Sequence, residues 1–316
     1  MVFLGNLIKM KKVFITNGLI GFLILSSCNL FAQQDPLFTH YMFSLSTVNP
    51  ASVGHVDNAS VMNIDRFQWV GLDGAPRTYT LNLDIPIKTI SCGAGLTYVL
   101  DKIGPEKTNN IYVDYAYHLD VNENLKLGLG LKAGFRVFSA SLYDDFGISN
   151  PDDPQFSSNI NGKITPNFGV GAFLYNNTFY VGLSAPKVLN HKYVNSTTSG
   201  GEKRHYFLVS GYVYPINRNI LFKPSVYLRC VEGAPVSFDV NANILVNKIV
   251  WFGLMYRKGD AVGFLTQVRL NDKINIGYTY DLTFSKIRTA AKGTHELMLS
   301  FEFQTEPPED RDQWHF

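Results

Sequence analysis

The chain is poor in cysteine, with Cys28, Cys92 and Cys230 the only three among 316 residues. Beyond the leader only Cys92 and Cys230 remain, on expected strands; no disulfide can be deduced from their spacing, and they read as two small residues packed on strands. The seven histidines are scattered, and none forms a Cys/His cluster or a helix-spaced ligand pair, so no zinc-type site is expected. A dominant charge sign is missing too: 28 Lys+Arg against 26 Asp+Glu leave +2, and no global field directs the molecule to nucleic acid. Charged residues make up only 17% of the chain, below the quarter or so usual in soluble domains. Beyond the N-terminus no apolar run reaches the ~18 residues that a helical membrane span needs. There is no phosphate-cradling glycine loop followed by lysine and no nucleophile-elbow serine. Gly128-Leu-Gly-Leu-Lys-Ala-Gly134 matches a glycine fingerprint only by count, since it lies inside an extended segment. No enzymatic activity and no cofactor are expected.

Aromatics, by contrast, are plentiful: 14% of the chain, with 17 Tyr and 23 Phe. That suits the aromatic girdles of a transmembrane β-barrel, although a secreted β-sandwich shares it. Periodicity separates the two. Between Val236 and Asp281 three tight turns, Asn247-Lys248, Lys258-Gly259-Asp260 and Asn271-Asp272, join four alternating segments. In the first, Val236, Phe238, Val240, Ala242, Ile244 and Val246 share one face. Ser237, Asp239, Asn241 and Asn243 share the other, with Leu245 its one apolar member. Side chains on a strand alternate in direction, so each segment has an oily face and a wet face. Further along, the wet face carries Gln267, Arg269, Lys273, Asn275 and Asp281. The segment Leu125–Val137 alternates most cleanly. Leu125, Leu127, Leu129, Leu131, Ala133, Phe135 and Val137 face one way; Lys126, Gly128, Gly130, Lys132, Gly134 and Arg136 face the other. An uninterrupted aliphatic face is best explained by lipid, and the glycines opposite suit a crowded or curving wall.

About fourteen such segments run from Ala59 to Phe303 with no domain boundary, among them Asn110–Leu119, Asn167–Tyr175 and Lys273–Leu282. An even number is what single-chain bacterial barrels use. The expected fold is therefore an all-β transmembrane antiparallel β-barrel in the outer membrane. With the N-terminus in the periplasm, the connections sort by parity. Those at 87–90, 120–124, 176–177, 216–219, 247–248 and 271–272 are short. On the other side, Phe138–Pro166, Lys187–Arg204 and Thr283–Gly293 form long outer loops, and a sandwich has no reason to sort its loops this way. The last segment, with Leu297, Leu299, Phe301 and Phe303 on one face, should pair with the first, because an open sheet edge is not viable in hydrocarbon.

Around this barrel lie three other regions. Residues 1–32 read as an export signal with a basic Lys9, Lys11, Lys12 region. Cleavage near Ala32 competes there with a lipoprotein reading that places lipid on Cys28. Residues 33–58 form an aromatic, Asn/Pro-punctuated lead-in without a period of two, either a plug in the barrel mouth or a cap on its periplasmic end. Residues 304–316 form an acidic, proline-containing periplasmic tail. Asp144, Asp145, Asp152 and Asp153 cluster in the longest outer loop, where a solvated loop is favoured over a Ca²⁺ site. The charges expected to face the lumen are Asp84, Asp114, Lys126, Lys132, Arg136, Lys223, Arg229, Asp239, Arg269 and Asp281. Their mixed signs favour pairing across a filled interior over a pore selective for one ion.

Two blocks carry a resemblance. One is Gln68-Trp69, Gly71, Asp73-Gly74, Pro76 and Thr78, followed by Asp84-Ile85-Pro86. The other is Gln34-Asp35-Pro36 with Tyr41-Met42-Phe43 and Asn49-Pro50-Ala51. In order and spacing they resemble the PorP/SprF membrane proteins of the type IX secretion system and their gliding-motility relatives. The resemblance implies a non-enzymatic outer-membrane accessory of protein secretion. Its partners would be a secreted cargo protein, such as a surface adhesin, other secretion-system components, and outer-membrane lipid. The competing reading is an outer-membrane channel or transporter for small solutes, hydrophobic ones among them. Physically, Gly71, Gly74 and Pro76 shape a tight first outer loop and Trp69 suits an interfacial ring. The block serves either to close the first hairpin or to touch a partner.

Overall fold

The computed structural model describes residues 38–141, 159–192 and 201–303. The leader, the tail and the loop aspartates lie outside these residues. Among the described residues fourteen antiparallel strands close into a barrel. They are β1 (Ala59–Phe67), β2 (Arg77–Ile87), β3 (Cys92–Ile103), β4 (Glu106–Asn122), β5 (Leu125–Ala140), β6 (Ile160–Tyr175) and β7 (Phe179–Lys187). There follow β8 (His205–Tyr212, resuming as Tyr214–Asn217), β9 (Ile220–Val231), β10 (Ser237–Val246), β11 (Val250–Arg257), β12 (Ala261–Arg269), β13 (Ile274–Thr283) and β14 (Thr294–Phe303). Each strand pairs with its neighbours in sequence, and β14 returns to β1 with Phe303 opposite Ala59 and His295 opposite Phe67. Closure satisfies the backbone groups that hydrocarbon cannot. A two-residue ribbon, His191–Lys192 with Gly201–Glu202, decorates the outer loop between β7 and β8.

Burial is inverted relative to a water-soluble protein. Leu129, Leu131 and Phe135 on β5 are 47%, 61% and 41% exposed, whereas Lys132, Asp114 and Asn241 are buried. The oily face therefore looks outward and the wet face inward, as lipid outside and a polar interior require. The connections at 88–91, 123–124, 176–178, 218–219, 247–249 and 270–273 are all short and lie at one end; the loops at 68–76 and 284–293 lie at the other, together with the strand ends Ala140, Ile160, Lys187 and His205.

Most strand ends fall within a residue or two of the sequence expectation, and the largest differences are extensions. β4 extends to Glu106–Asn122 rather than Asn110–Leu119, and β6 begins at Ile160 rather than Asn167. Their added outer turns carry Lys107, Thr108, Asn109, Asn161, Lys163 and Thr165. Above the bilayer the outward face meets water, so alternation fades while backbone pairing continues. β5 and β6 accordingly reach Ala140 and Ile160, and so run into the expected loop Phe138–Pro166 from both sides. Lys273 lies exposed in the turn before β13, its amide donating to Asn271 Oδ1.

The stretch from Phe38 to Gly54 occupies the barrel interior. It forms three 3-10 turns, His40–Phe43, Leu45–Thr47 and Pro50–Ser52. Tyr41, Met42, Leu45, Val48 and Ala51 are fully or almost fully buried, packed with Phe173, Tyr180, Phe207, Tyr227 and Leu265. Walls surround the segment on all sides, which is why it shows no one-sided period. It descends from the level of Ile64 and Met298, where Phe38 packs, to Gly93 at the periplasmic end, against which Gly54 is pressed.

Candidate functional site

The two walls of the lumen hold this segment by different chemistry. From β9 round to β1 the inward positions supply a belt of alternating charge. Arg229 binds Asp239 at 2.7 Å, Arg257 binds Asp239 at 3.0 Å and approaches Asp281 at 3.8 Å, and Arg66 binds Asp281 at 2.9 Å and Glu296 at 2.8 Å. The pair Arg257–Asp281 reaches past β12 because Gly263 stands between them; a Cβ there would lie 2.7 Å from Asp281 Oδ1. Three guanidiniums against three carboxylates leave little net charge, as a belt taken out of water must.

The head of the segment docks on this belt. The Thr39 and His40 amides donate to Glu296 at 3.0 and 2.7 Å, and His40 Nδ1 lies 2.6 Å from the same carboxylate. Thr39 Oγ1 donates to Asp281 at 3.0 Å. Tyr41 OH accepts from Asn241 at 2.5 Å, and its ring packs on Tyr227 with centroids 4.7 Å apart. Burial, with Asp239 close by, holds the Tyr41 phenol well above its ordinary pKa, so it remains a neutral hydroxyl. Lys223 lies beneath, its ammonium donating to Met42 O at 3.4 Å and set among the rings of Phe43, Tyr180 and Trp251 at 5.6–5.9 Å.

The opposite wall is shaped by missing side chains. Gly128 and Gly130 on β5 press against Ala51, Gly93 on β3 against Val53, and Gly171 on β6 against Asn49; a Cβ at any of them would collide. Asn49 fastens the descent, its Oδ1 accepting from Ala51 N at 3.0 Å and its Nδ2 donating to Ala172 O at 3.1 Å. Ser184 donates to Val48 O at 2.7 Å, and the Gly54 amide donates to Asp84 at 2.7 Å. His118 Nε2 lies 2.8 Å from Val53 O, which can only accept, so Nδ1 is left to accept from Tyr175 OH at 3.1 Å. Below this floor a cavity of about 650 Å³ opens at the periplasmic mouth, lined in part by His55, Asp57, Lys88, His118, Lys126 and Tyr175.

Of the ten charges expected in the lumen, Asp84, Asp114, Lys132, Lys223, Arg229, Asp239 and Asp281 are buried inside. Asp114 and Lys132 bind each other at 2.8 Å. Arg136, half-buried near the outer end, donates to Thr108 at 3.0 Å. Arg269 sits near the periplasmic end by Asn275. Lys126 shares the inward parity but stands at the periplasmic rim, 54% exposed and 3.8 Å from Asp120. The structure adds Arg66, Arg257 and Glu296 to the belt. Parity along β1, β11 and β14 places all three on the wet face, so the signal was present; only their joint role needed the closed sheet. His40, Tyr41 and Asn49 had no such signal.

The first outer loop stands apart from the lumen. Trp69 adopts φ +51°, Gly71 φ +97° and Gly74 φ +73°, conformations that glycine tolerates and most residues avoid. Gln68 N donates to Pro76 O at 3.0 Å, closing the hairpin. Val70 exchanges backbone bonds with Gly293 and Lys292 at 2.9 and 2.8 Å, and Gly74 O accepts from Gly104 N at 2.9 Å. Thr78 donates to Asp101 at 2.6 Å. Gly71, Asp73 and Gly74 are exposed, Gln68 and Trp69 half-buried, and Pro76 and Thr78 buried. The block thus ties the first hairpin to the loops before β14 and after β3, and leaves Asp73 open to solvent.

No curated protein matches the chain. Solved barrels resemble it weakly. The Acinetobacter baumannii outer membrane protein Omp33 is 11% identical over 79% of this chain and 100% of its own, with TM-score 0.46. The CymD monoaromatic hydrocarbon channel is 11% identical over 84% of this chain and 93% of its own, with TM-score 0.47. A Pseudomonas aeruginosa FadL homologue is 12% identical over 87% and 95%, with TM-score 0.45. The model of the family "Type IX secretion system membrane protein PorP/SprF" matches residues 30–301, nearly the whole of the described barrel and its lead-in. The chain belongs to the PorP/SprF family of type IX secretion system membrane proteins, and its place is the outer membrane.

Proposed function

We propose that this barrel serves type IX secretion as a sealed docking platform, binding a secreted cargo protein and other secretion components at its two ends, and that it conducts no solute. The observation that carries the reading is the occupation of the lumen by Phe38–Gly54, clamped on one side by Arg66, Asp281 and Glu296 and seated on the other against Gly128, Gly130 and Gly171. A lumen spent on its own chain leaves the outer loops and the periplasmic mouth as the working surfaces. In this reading residues 38–54 are the plug, and the Gln68–Thr78 block holds the outer loops in one arrangement for a partner. The competing reading, a channel for small hydrophobic solutes, requires the plug to leave. Purified barrel in planar bilayers should be nearly silent, and deletion of the gene should abolish surface display of a specific cargo. Steady conductance together with normal display would sink the proposal.

A further inference from the structure

The outward face of β2, β3 and β4 carries an arrangement that the secretion role does not use. Register places Arg77 directly opposite Lys102, and Lys102 directly opposite Lys107, so three cations stand side by side on adjacent strands. All three are exposed. Like charges directly opposite on neighbouring strands repel. Nor do the nearby carboxylates relieve them. Asp101 is turned to the lumen side, where Thr78 binds it, and Glu106, next to Lys107 on β4, takes the opposite, inward parity, across from Ile103 and Ala140. Asp65 lies on the outward face of β1 one rung nearer the membrane centre, opposite Tyr79. Among the described residues no ion pair involves Arg77, Lys102 or Lys107; Arg77 only leans over the Phe67 ring at 5.9 Å.

Their level says what meets them. Beneath Arg77 on the same face come Tyr79, Leu81, Leu83 and Ile85; beneath Lys102 come Leu100, Tyr98 and Leu96; beneath Lys107, past Asn109, come Ile111, Val113 and Tyr115. Tyr79, Leu96, Val113 and Tyr115 are among the exposed apolar side chains of the lipid-facing band. The three cations therefore cap that band at its outer edge, where acyl chains end and headgroups begin. We infer that Arg77, Lys102 and Lys107 form a binding site for the phosphate of an outer-leaflet glycolipid, with its acyl chains lying down the Tyr79–Leu96–Val113 face. Arginine and lysine donors at this spacing supply the charge-assisted bonds a phosphate accepts, in a layer where screening by water is reduced.

The test uses the full chain purified in detergent and stripped of lipid. Binding of phosphorylated lipid A is compared with that of the same lipid A after enzymatic dephosphorylation, and inorganic phosphate is used as competitor. The wild type should prefer the phosphorylated lipid. The triple variant Arg77→Gln, Lys102→Gln, Lys107→Gln should bind it about a hundredfold more weakly. Lys258→Gln, an outer cation away from the row, should bind as wild type does. All three triple-variant positions are exposed, and heat-modifiable gel mobility verifies that the variant barrel is closed. Equal binding by the triple variant, or indifference to dephosphorylation, overturns the inference. Full displacement by millimolar inorganic phosphate overturns the assignment to lipid, because a free-anion site would then account for the cations.

Discussion

Glu296, on the strand that closes the barrel, receives the His40 amide at 2.7 Å and the His40 ring at 2.6 Å, and Arg66 on the first strand holds its other oxygen at 2.8 Å. One carboxylate thus joins the last strand, the first strand and the head of the internal segment. The seam of the barrel and the seat of the plug share a single buried group.

Glu296→Ala should therefore loosen both. Removing one member of a buried hydrogen-bonded charge cluster leaves Arg66 with Asp281 alone and the His40 and Thr39 amides without their acceptor, at a cost of about 3–5 kcal/mol. Thermal unfolding followed by gel mobility should begin at lower temperature, and single-channel recordings should show openings absent from wild type. Wild-type melting with no openings would show that the plug is held elsewhere.

On the opposite wall, Gly130→Val attacks the seat without touching charge. The added side chain runs into Pro50 and Ala51, while the lipid face of β5 is unaltered. The barrel should still close and migrate as a folded species, whereas cysteine labelling at residue 51 should rise as the segment is displaced. Unchanged protection of residue 51 would contradict the close approach of Gly130 to Ala51.

Asp114 and Lys132 offer a cleaner partition of energy. Asp114→Asn strands the ammonium of Lys132 in the interior and should cost about 3–5 kcal/mol, whereas the double change to Leu and Met should come within about 1 kcal/mol of wild type. Denaturant titration of the three proteins in detergent measures both differences.

Gly74→Val tests the first outer loop. At φ +73°, with Gly104 Cα 3.3 Å from the position of an added Cβ, the loop must shift away from the turn after β3. We expect barrel assembly to persist and cargo display to fall. Display at wild-type level would assign the block to closing the hairpin rather than to a partner.

How much of this was legible beforehand follows from which environment each residue answers to. Strands in a bilayer see lipid on one side and the lumen on the other, so Leu125–Val137 announces its own orientation and Arg66, Arg257 and Glu296 lie on the inward parity. Outside the hydrocarbon layer that pressure ends, and the outer turns of β4 and β6 went unseen. Phe38–Gly54 is enclosed on every side and has no preferred face, so its sequence alone left a plug and a cap equally open.

By itself the sequence determined the closed antiparallel barrel, its in/out alternation and the sorting of its connections, because these are local responses to a two-sided solvent. Only the tertiary structure decided which inward charges meet, which glycines receive the lead-in, and that Arg77, Lys102 and Lys107 share one row. Those are matters of register between strands distant in the chain, and a register is settled only when the sheet closes.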